Sequence, residues 1–228
     1  GIFVDGAPLD NPMLVYWGAL LFGLQIFCDF SAYTDMAIGS AIFFGIRLPE
    51  NFRSPYKSKS PQEFWRRWHI SLSTWLRDYL YFSLGGSKMG KARMYFALSV
   101  TMILGGLWHG ASWNFVLWGV LHGAILIIHR ITSEFGVNKV FSEYNPFLHN
   151  ITSWIVTQWL VFLSWLVFRI GNTEMLLRSI KTYCFIDVRI DVEGALNYLP
   201  GRNNLTFILL ILFMIDDLDR SRSLKLYT

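Results

Sequence analysis

The chain has 228 residues, and its composition is typical of a membrane protein rather than a soluble domain. Hydrophobic residues make up 53% and charged residues only 16%, against roughly 25% charged residues in soluble domains. The formal net charge is +4, and the two cysteines are far apart in sequence, which argues against a disulfide framework or a zinc site. We expect membrane lipids around the chain, no bound metal and no nucleic-acid partner.

The positive charge is concentrated in one segment. Ten of the 20 Lys and Arg residues lie between Arg47 and Arg93, which places this segment on the cytoplasmic side by the positive-inside rule. Attraction of an anionic cytosolic ligand is a less favoured interpretation of the same charge. The chain begins at Gly1 without a recognisable signal peptide, and we expect the N-terminal half of a longer membrane protein to be missing.

The first predicted element is a long apolar helix. Asn11-Pro12 is a typical helix start, and the apolar stretch Met13–Ile46 that follows is too long for one straight span. Because the polar run at 28–35 interrupts this stretch, we expect two helices or a broken one.

Two carboxylates lie in that polar run. Asp29 and Asp35 must pair, become protonated or face a cavity, because a charge in apolar surroundings is costly. We favour an ion pair with the Arg66–Arg67 cluster over proton chemistry.

The second predicted element is an amphipathic helix over 60–86 on the cytoplasmic side. The capping box Ser60-Pro61-Gln62-Glu63 begins it, and Gly85-Gly86 ends it. Its apolar stripe recurs at steps of three and four, at Trp65, Trp68, Leu72, Trp75 and Tyr79. His69 lies one step from this stripe, and composition alone favours an interfacial position over a chemical role for it.

Two antiparallel spans come next, roughly Met94–His109 and Trp113–Ile128, joined by a very short connection. After these spans we expect a polar linker (Thr132–Asn150) and a third span (Ile151–Phe168). A short interfacial helix (173–185) and a final apolar run (Leu205–Ile215) follow. The final run is too short to cross a bilayer alone.

The two spans carry the pattern G-x-x-H-G twice, around His109 and around His122, with no charged residue from Met94 to Ile128. An ionisable imidazole in apolar sequence indicates a functional site by default. The flanking glycines favour a chemical role for His109, whereas His122 is equally compatible with a structural hydrogen bond.

Several catalytic patterns are absent from the sequence: G-x-S-x-G, the phosphate-binding G-x-x-x-x-G-K-[ST] and H-E-x-x-H. The histidines are therefore the remaining candidates for acid–base chemistry.

The segments FSAYTDMAIG (30–39), NFRSPYKSKSPQEFWRRWHISLSTWLRDYLYFSLGG (51–86) and GGLWHGASWNFVLWGVLHG (105–123) together closely resemble the membrane-bound O-acyltransferase family. The nearest branch is that of bacterial alginate and peptidoglycan O-acetyltransferase membrane subunits. This resemblance implies an all-α, polytopic transmembrane bundle with an amphipathic interfacial helix, here the C-terminal half of a larger tunnel-forming fold, in the bacterial inner membrane.

The resemblance also implies site residues and substrates. The catalytic histidine of the family's W-H-G motif maps onto His109, and the second important histidine, which ends F-W-R-R-W-H, maps onto His69. The donor is a cytosolic acyl thioester such as acetyl-CoA, with no bound cofactor. The acceptor is an extracytoplasmic hydroxyl, usually reached through a periplasmic or membrane-anchored partner O-acetyltransferase.

These considerations predict an O-acyltransferase in which His109 is the general base, and an acyl-histidine intermediate is the second option. Arg66 and Arg67 are expected to hold donor phosphates. The other predicted substrate-binding residues are Trp68, Trp108, Trp113, Asp29, Tyr33, Asp35, Asp78 and His122.

The sequence is also compatible with two other classes of function. Intramembrane histidines and carboxylates also relay protons in transporters or flippases, and a non-catalytic scaffold for a partner transferase needs no histidine chemistry. The acceptor polymer is equally open, with alginate, peptidoglycan, cellulose and secondary wall polymers as candidates.

Overall fold

The computed structural model describes residues 11–185, except for the side chains of residues 137–139 and 141. Over this range it contains helices and no strand, which confirms the all-α class. The helices are α1 (Pro12–Phe43), α2 (Pro61–Arg67), α3 (Ile70–Trp75), a π-helical segment (Leu76–Tyr81), α4 (Lys91–Trp108), α5 (Trp113–Glu134), α6 (Val137–Tyr144), α7 (Pro146–Arg169) and α8 (Thr173–Tyr183). The predicted apolar run Leu205–Ile215 lies outside the described residues.

Helix α1 is one continuous helix of 32 residues, so the predicted break is wrong. Its start is as expected, because the Asn11 side chain accepts a hydrogen bond from the Met13 amide at 3.1 Å. The hydroxyls of the polar run bond to carbonyls of the preceding turn, so they are satisfied without a break in the helix. Ser31 Oγ donates to the Cys28 carbonyl at 3.3 Å, and Thr34 Oγ1 donates to the Phe30 carbonyl at 2.9 Å.

Three of the described helices are long and apolar enough to cross a membrane: α1, α5 and α7. The chain is therefore a membrane-embedded helical protein. Helix α4, which is 18 residues long and carries Lys91 and Arg93 in its first turn, is not among the three. The polar linker predicted before the third span is wrong in part, because it contains α6, and α7 begins at Pro146.

Helices α4 and α5 form the predicted antiparallel pair, and the first glycine of each G-x-x-H-G copy lies at their crossing. A Cβ added to Gly119 would lie 2.5 Å from the Met102 carbonyl oxygen, and one added to Gly106 would overlap the Phe115 carbonyl oxygen. At the other end of the pair, Lys91 Nζ lies 2.7 Å from a Glu134 carboxylate oxygen. The glycines are thus required for the close approach of the two backbones.

The predicted single helix over 60–86 is wrong. The capping box is present, with the Glu63 amide donating to Ser60 Oγ at 3.1 Å, but α2 ends at Arg67 and a new helix begins at Ile70. The break changes which aromatic side chains share a face. Trp68 is buried in the core, whereas Trp75 and Tyr79 are exposed.

The core lies where α1, α7 and the segment 52–68 meet, and it is largely aromatic. Trp68 contacts Phe64 in a stacked geometry with ring centroids 5.6 Å apart, and it contacts Trp165 of α7 at 4.9 Å. Tyr56 Oη donates to the Gly23 carbonyl at 2.6 Å, which joins this segment to α1. This packing fixes the position of α2 relative to α1 and α7.

Candidate active site

His109 lies directly after the last residue of α4, where it forms the C-cap. Aromatic rings surround its imidazole, with centroid distances of 5.0 Å to Trp108, 5.3 Å to Trp118 and 5.1 Å to Phe168. Helix α4 is unbroken at its glycine pair, so the 16 residues from Arg93 to His109 rise about 24 Å along the axis. The imidazole is therefore held at the end of the α4–α5 pair opposite Lys91 and Glu134.

His69 lies at the break between α2 and α3, in the left-handed backbone region with φ of 43° and ψ of 56°. For a residue other than glycine this conformation costs on the order of 1 kcal/mol. The preceding residue, Trp68, is extended and ends α2. The bend aims the imidazole toward α1 and the end of α4, with ring centroids 4.6 Å from Phe30 and 5.9 Å from Trp108.

The two histidines line one cavity of about 410 Å³, although 40 residues separate them in sequence. The other lining residues are Phe22, Gln25, Ile26, Asp29, Phe30, Trp108 and Phe168. We call this space the histidine cavity. Its walls are mostly aromatic, and its polar groups are the two imidazoles and the side chains that α1 contributes.

The His69 imidazole is buried, and its Nδ1 atom has no hydrogen-bond partner among the described residues. Burial, together with a smaller contribution from the neighbouring charge of His109, lowers the pKa of His69 to about 4. The ring is therefore neutral at pH 7. A neutral imidazole has one N–H donor and one acceptor nitrogen for a ligand in the cavity.

Helix α1 faces the histidine cavity with Gln25 and Asp29, which are one turn apart and so share a helix face. Asp29 forms no ion pair with any described residue, and the predicted pairing with the Arg66–Arg67 cluster is wrong. Arg67 is 2.7 Å from a Glu63 carboxylate oxygen instead. The structure thus selects the cavity-facing alternative for Asp29.

A second, larger cavity of about 680 Å³ lies between the α2–α3 segment and the α4–α5 pair. Its basic lining residues are Arg66, Arg77, His129 and Arg130, and its polar ones include Gln62, Ser73, Thr74 and Thr101. We call this space the arginine cavity. It lies toward the Lys91–Glu134 end of the helix pair, the end that the positive-inside rule predicts to be cytoplasmic.

Of the two predicted phosphate-binding arginines, only Arg66 lines the arginine cavity. Its side chain is exposed and forms no ion pair with the described residues. Arg67 donates to the Arg53 carbonyl at 3.1 Å and pairs with Glu63, so its guanidinium already has partners within the protein.

His122 is buried away from both cavities, with 2% of its surface exposed. Its Nδ1 accepts a hydrogen bond from Trp65 Nε1 at 3.3 Å, and its ring lies 4.6 Å from Trp118. Of the alternatives left open by the sequence, these contacts favour the structural one.

Several other predicted binding residues lie outside the histidine cavity. Trp68 is a core residue, Trp113 and Tyr33 are exposed at 80% and 63%, Asp35 is exposed on α1, and Asp78 forms an ion pair with Arg77 at 2.7 Å.

Sequence reasoning missed Phe168 as a site residue. Its ring contacts both His109 and Trp118, and its carbonyl accepts a hydrogen bond from Asn114 Nδ2 at 3.0 Å. The residue lies at the end of an apolar span, where no local pattern distinguishes it from core. Among the described residues, no group of three His, Cys, Asp or Glu side chains is placed to hold a metal ion.

The chain also has recognisable relatives. The protein "Probable alginate O-acetylase AlgI" of Pseudomonas syringae pv. tomato is 48% identical over 169 residues, which are 73% of this chain and 31% of that protein. The "Peptidoglycan O-acetyltransferase" of Helicobacter pylori is 44% identical over 163 residues, 72% of this chain and 30% of that protein. The "Teichoic acid D-alanyltransferase" of Bacillus subtilis is 37% identical over 119 residues, 48% of this chain and 29% of that protein.

The matched region is thus about a third of the length of these relatives. The family model of membrane-bound O-acyltransferases matches residues 4–170, which include both histidines of the cavity and the helices that position them. The chain belongs to the membrane-bound O-acyltransferase family.

Proposed function

We propose that this chain carries the acyl-transfer site of a bacterial inner-membrane O-acetyltransferase. The reaction moves an acetyl group from a cytosolic thioester, acetyl-CoA, to a hydroxyl of an extracytoplasmic polysaccharide or peptidoglycan. The observation that carries the proposal is the meeting of His69 and His109 in one aromatic cavity. Relatives named as alginate and peptidoglycan O-acetylating enzymes support the choice of acetyl group and acceptor class.

His109 is the proposed general base. Its imidazole takes the proton of the acceptor hydroxyl while the hydroxyl oxygen attacks the thioester carbonyl carbon. The carbon–sulfur bond then breaks, and the leaving thiolate takes the proton from the His109 imidazolium. This sequence balances protons without a cofactor. An acetyl-histidine at His109 is the mechanistic alternative.

His69 is the proposed partner of the donor carbonyl. A neutral imidazole in the histidine cavity can donate one hydrogen bond to the carbonyl oxygen, where negative charge develops during attack. The apolar rings in contact with it, Phe30 and Trp108, lower the polarity around the imidazole and so strengthen this bond.

The arginine cavity is the proposed donor side. The guanidinium of Arg66 is exposed and unpaired among the described residues, so it is available for the phosphates of acetyl-CoA. Gln25 and Asp29, on the α1 face of the histidine cavity, are the proposed contacts for acceptor hydroxyls. The two substrates then approach the histidines from different sides of the α2–α3 bend.

The test is acetyl-CoA turnover by the full-length protein in proteoliposomes, with its partner transferase and an acceptor polysaccharide present. We expect His109→Ala to lower the rate of acetyl transfer by about 10²- to 10⁴-fold, the usual contribution of general acid–base catalysis. The thermal unfolding midpoint in detergent should change little, because the ring lies at a helix end beside a cavity.

His149→Ala is the matched control, because His149 lies on α7 outside both cavities. It should transfer acetyl at the wild-type rate. Near-normal transfer by a folded His109→Ala variant would rule out both the base and the acetyl-histidine mechanisms. Transport of substrate without thioester consumption would favour a transporter, and partner binding with replaceable histidines would favour a scaffold.

A further inference from the structure

Asn51 lies beside the α2–α3 break and accepts three hydrogen bonds from the first two residues of α3. Its side-chain Oδ1 accepts from the Ser71 amide at 3.1 Å and from Ser71 Oγ at 2.6 Å. Its backbone carbonyl accepts from the Ile70 amide at 3.0 Å. One residue, 18 positions upstream of His69, thus satisfies the first two amides of α3.

These bonds replace a missing cap. A helix start leaves its first amides without partners inside the helix, and the residue at the N-cap usually satisfies one of them with its side chain. Here the N-cap is His69, whose side chain makes no capping hydrogen bond. Asn51 supplies the acceptors from a remote segment, which leaves the imidazole free to face the histidine cavity.

The same segment also bonds to the end of α2. The Arg53 amide donates to the Arg67 carbonyl at 3.0 Å, and Arg67 Nη1 donates to the Arg53 carbonyl at 3.1 Å. Residues 51–53 therefore bond to both sides of the left-handed residue. Asn51 Nδ2 also lies 3.5 Å from Thr34 Oγ1 of α1, the helix that carries Phe30, whose ring contacts the His69 imidazole.

The direction of the imidazole depends on this backbone geometry. His69 makes no side-chain hydrogen bond to the described residues, and only ring contacts with Phe30 and Trp108 accompany it. If the left-handed turn relaxes, no side-chain hydrogen bond to a described residue therefore keeps the ring in the histidine cavity. A non-glycine residue keeps that conformation only where its surroundings enforce it.

We propose that Asn51 is the positioning residue of the acyl-transfer site: it holds the left-handed turn that directs His69 into the histidine cavity. The catalytic part of this inference rests on the proposed function, whereas the geometric part, the position of the His69 ring, does not depend on it. The two parts call for separate readouts.

The first readout is geometric and independent of activity. The full-length protein in proteoliposomes is treated with diethyl pyrocarbonate, and the carbethoxylation rate of each histidine is followed by mass spectrometry. Asn51→Ala should raise the labelling rate of His69 several-fold, because the ring leaves its buried position. His122 and His149 serve as internal references, and their labelling rates should stay at the wild-type values.

The second readout is acetyl-CoA turnover. Asn51→Ala should lower kcat by about 10- to 100-fold, the cost of displacing a reactive group by about 1 Å, with little change in the KM for acetyl-CoA. Asn51→Asp retains the Oδ acceptors and should restore most of the rate. Asn150→Ala is the matched control, since Asn150 lies on α7 and, among the described residues, its side chain bonds only to exposed Lys59, at 3.1 Å.

A double variant separates positioning from general support of the fold. If Asn51 acts through His69, Asn51→Ala should cause no further loss in a His69→Ala background. An equal loss in both backgrounds, or wild-type labelling of His69 in Asn51→Ala, would overturn the inference. Faster labelling of His69 without any transfer by the wild-type protein would support the hold on His69 and overturn only the proposed function.

Ser71→Ala covers the case in which Asn51→Ala does not fold. This change removes only the 2.6 Å bond from Ser71 Oγ to Asn51 and leaves the amide bonds in place. It should raise the His69 labelling rate and lower kcat to a smaller degree than Asn51→Ala, and wild-type values for both quantities would contradict the inference.

Discussion

The two copies of G-x-x-H-G have the same letters and different structural roles. In the first copy, His109 follows the last residue of α4 and faces the histidine cavity. In the second copy, His122 lies within α5 and is buried against Trp65 and Trp118. The glycines behave alike, because Gly106 and Gly119 both allow the two helices to cross closely. The repeated pattern thus encodes one packing contact, and the position along the helix decides which histidine faces the cavity.

The largest expected difference between the copies concerns acetyl transfer. The same substitution at both sites, His109→Phe and His122→Phe, removes an imidazole and keeps a ring of similar size. His109→Phe should lower the transfer rate by about 10²- to 10⁴-fold, whereas His122→Phe should leave it near the wild-type rate. Acetyl-CoA turnover in proteoliposomes measures both. A large loss in His122→Phe with an intact fold would give the second copy a chemical role.

The next effect concerns the helix crossing. Gly119→Ala would place a Cβ 2.5 Å from a backbone oxygen, so the helices must separate, and we expect a loss of about 3 kcal/mol in the free energy of unfolding. Denaturant unfolding in detergent measures this loss.

Gly123→Ala is the control for that prediction, because its Cβ would meet Met102 and Ser99 atoms at an ordinary 3.6 Å. Alanine is also the better helix former by about 1 kcal/mol, so this variant should be as stable as the wild type or more stable. Equal losses in the two variants would mean that the close approach at Gly119 is not what makes glycine necessary there.

The smallest expected effect is the change in stability of His122→Phe. The substitution leaves the Trp65 indole N–H without its acceptor, which costs about 1–3 kcal/mol. It also removes the His122 Nε2 atom, which is buried without a partner among the described residues, and this removal offsets much of the cost. The net change in the free energy of unfolding should therefore be under about 1 kcal/mol.

His122→Ala sharpens this result. It removes the ring without replacing its volume, and the resulting cavity should cost about 3 kcal/mol. If His122→Phe were as destabilising as His122→Ala, the Trp65 hydrogen bond would outweigh ring packing at this site.

Much of the fold follows from local sequence. Asn11-Pro12 and the capping box at Ser60 predict the helix starts, because a short side chain that accepts a backbone hydrogen bond acts within a few residues. The short connection after His109 predicts the antiparallel pair. The motif resemblance identifies the family, which the family match and the relatives confirm.

The sequence alone determined a membrane helical protein and two candidate histidines, since composition, caps and motifs are properties of neighbouring residues. Only the tertiary structure decided that α1 is unbroken, that His69 lies in a left-handed turn and that Arg67 pairs with Glu63 rather than with a carboxylate of α1. The turn escapes local prediction because its acceptors come from Asn51 in a distant segment. The spacing of residues within a helix does not reveal a hydrogen-bond acceptor that lies in a distant segment of the chain.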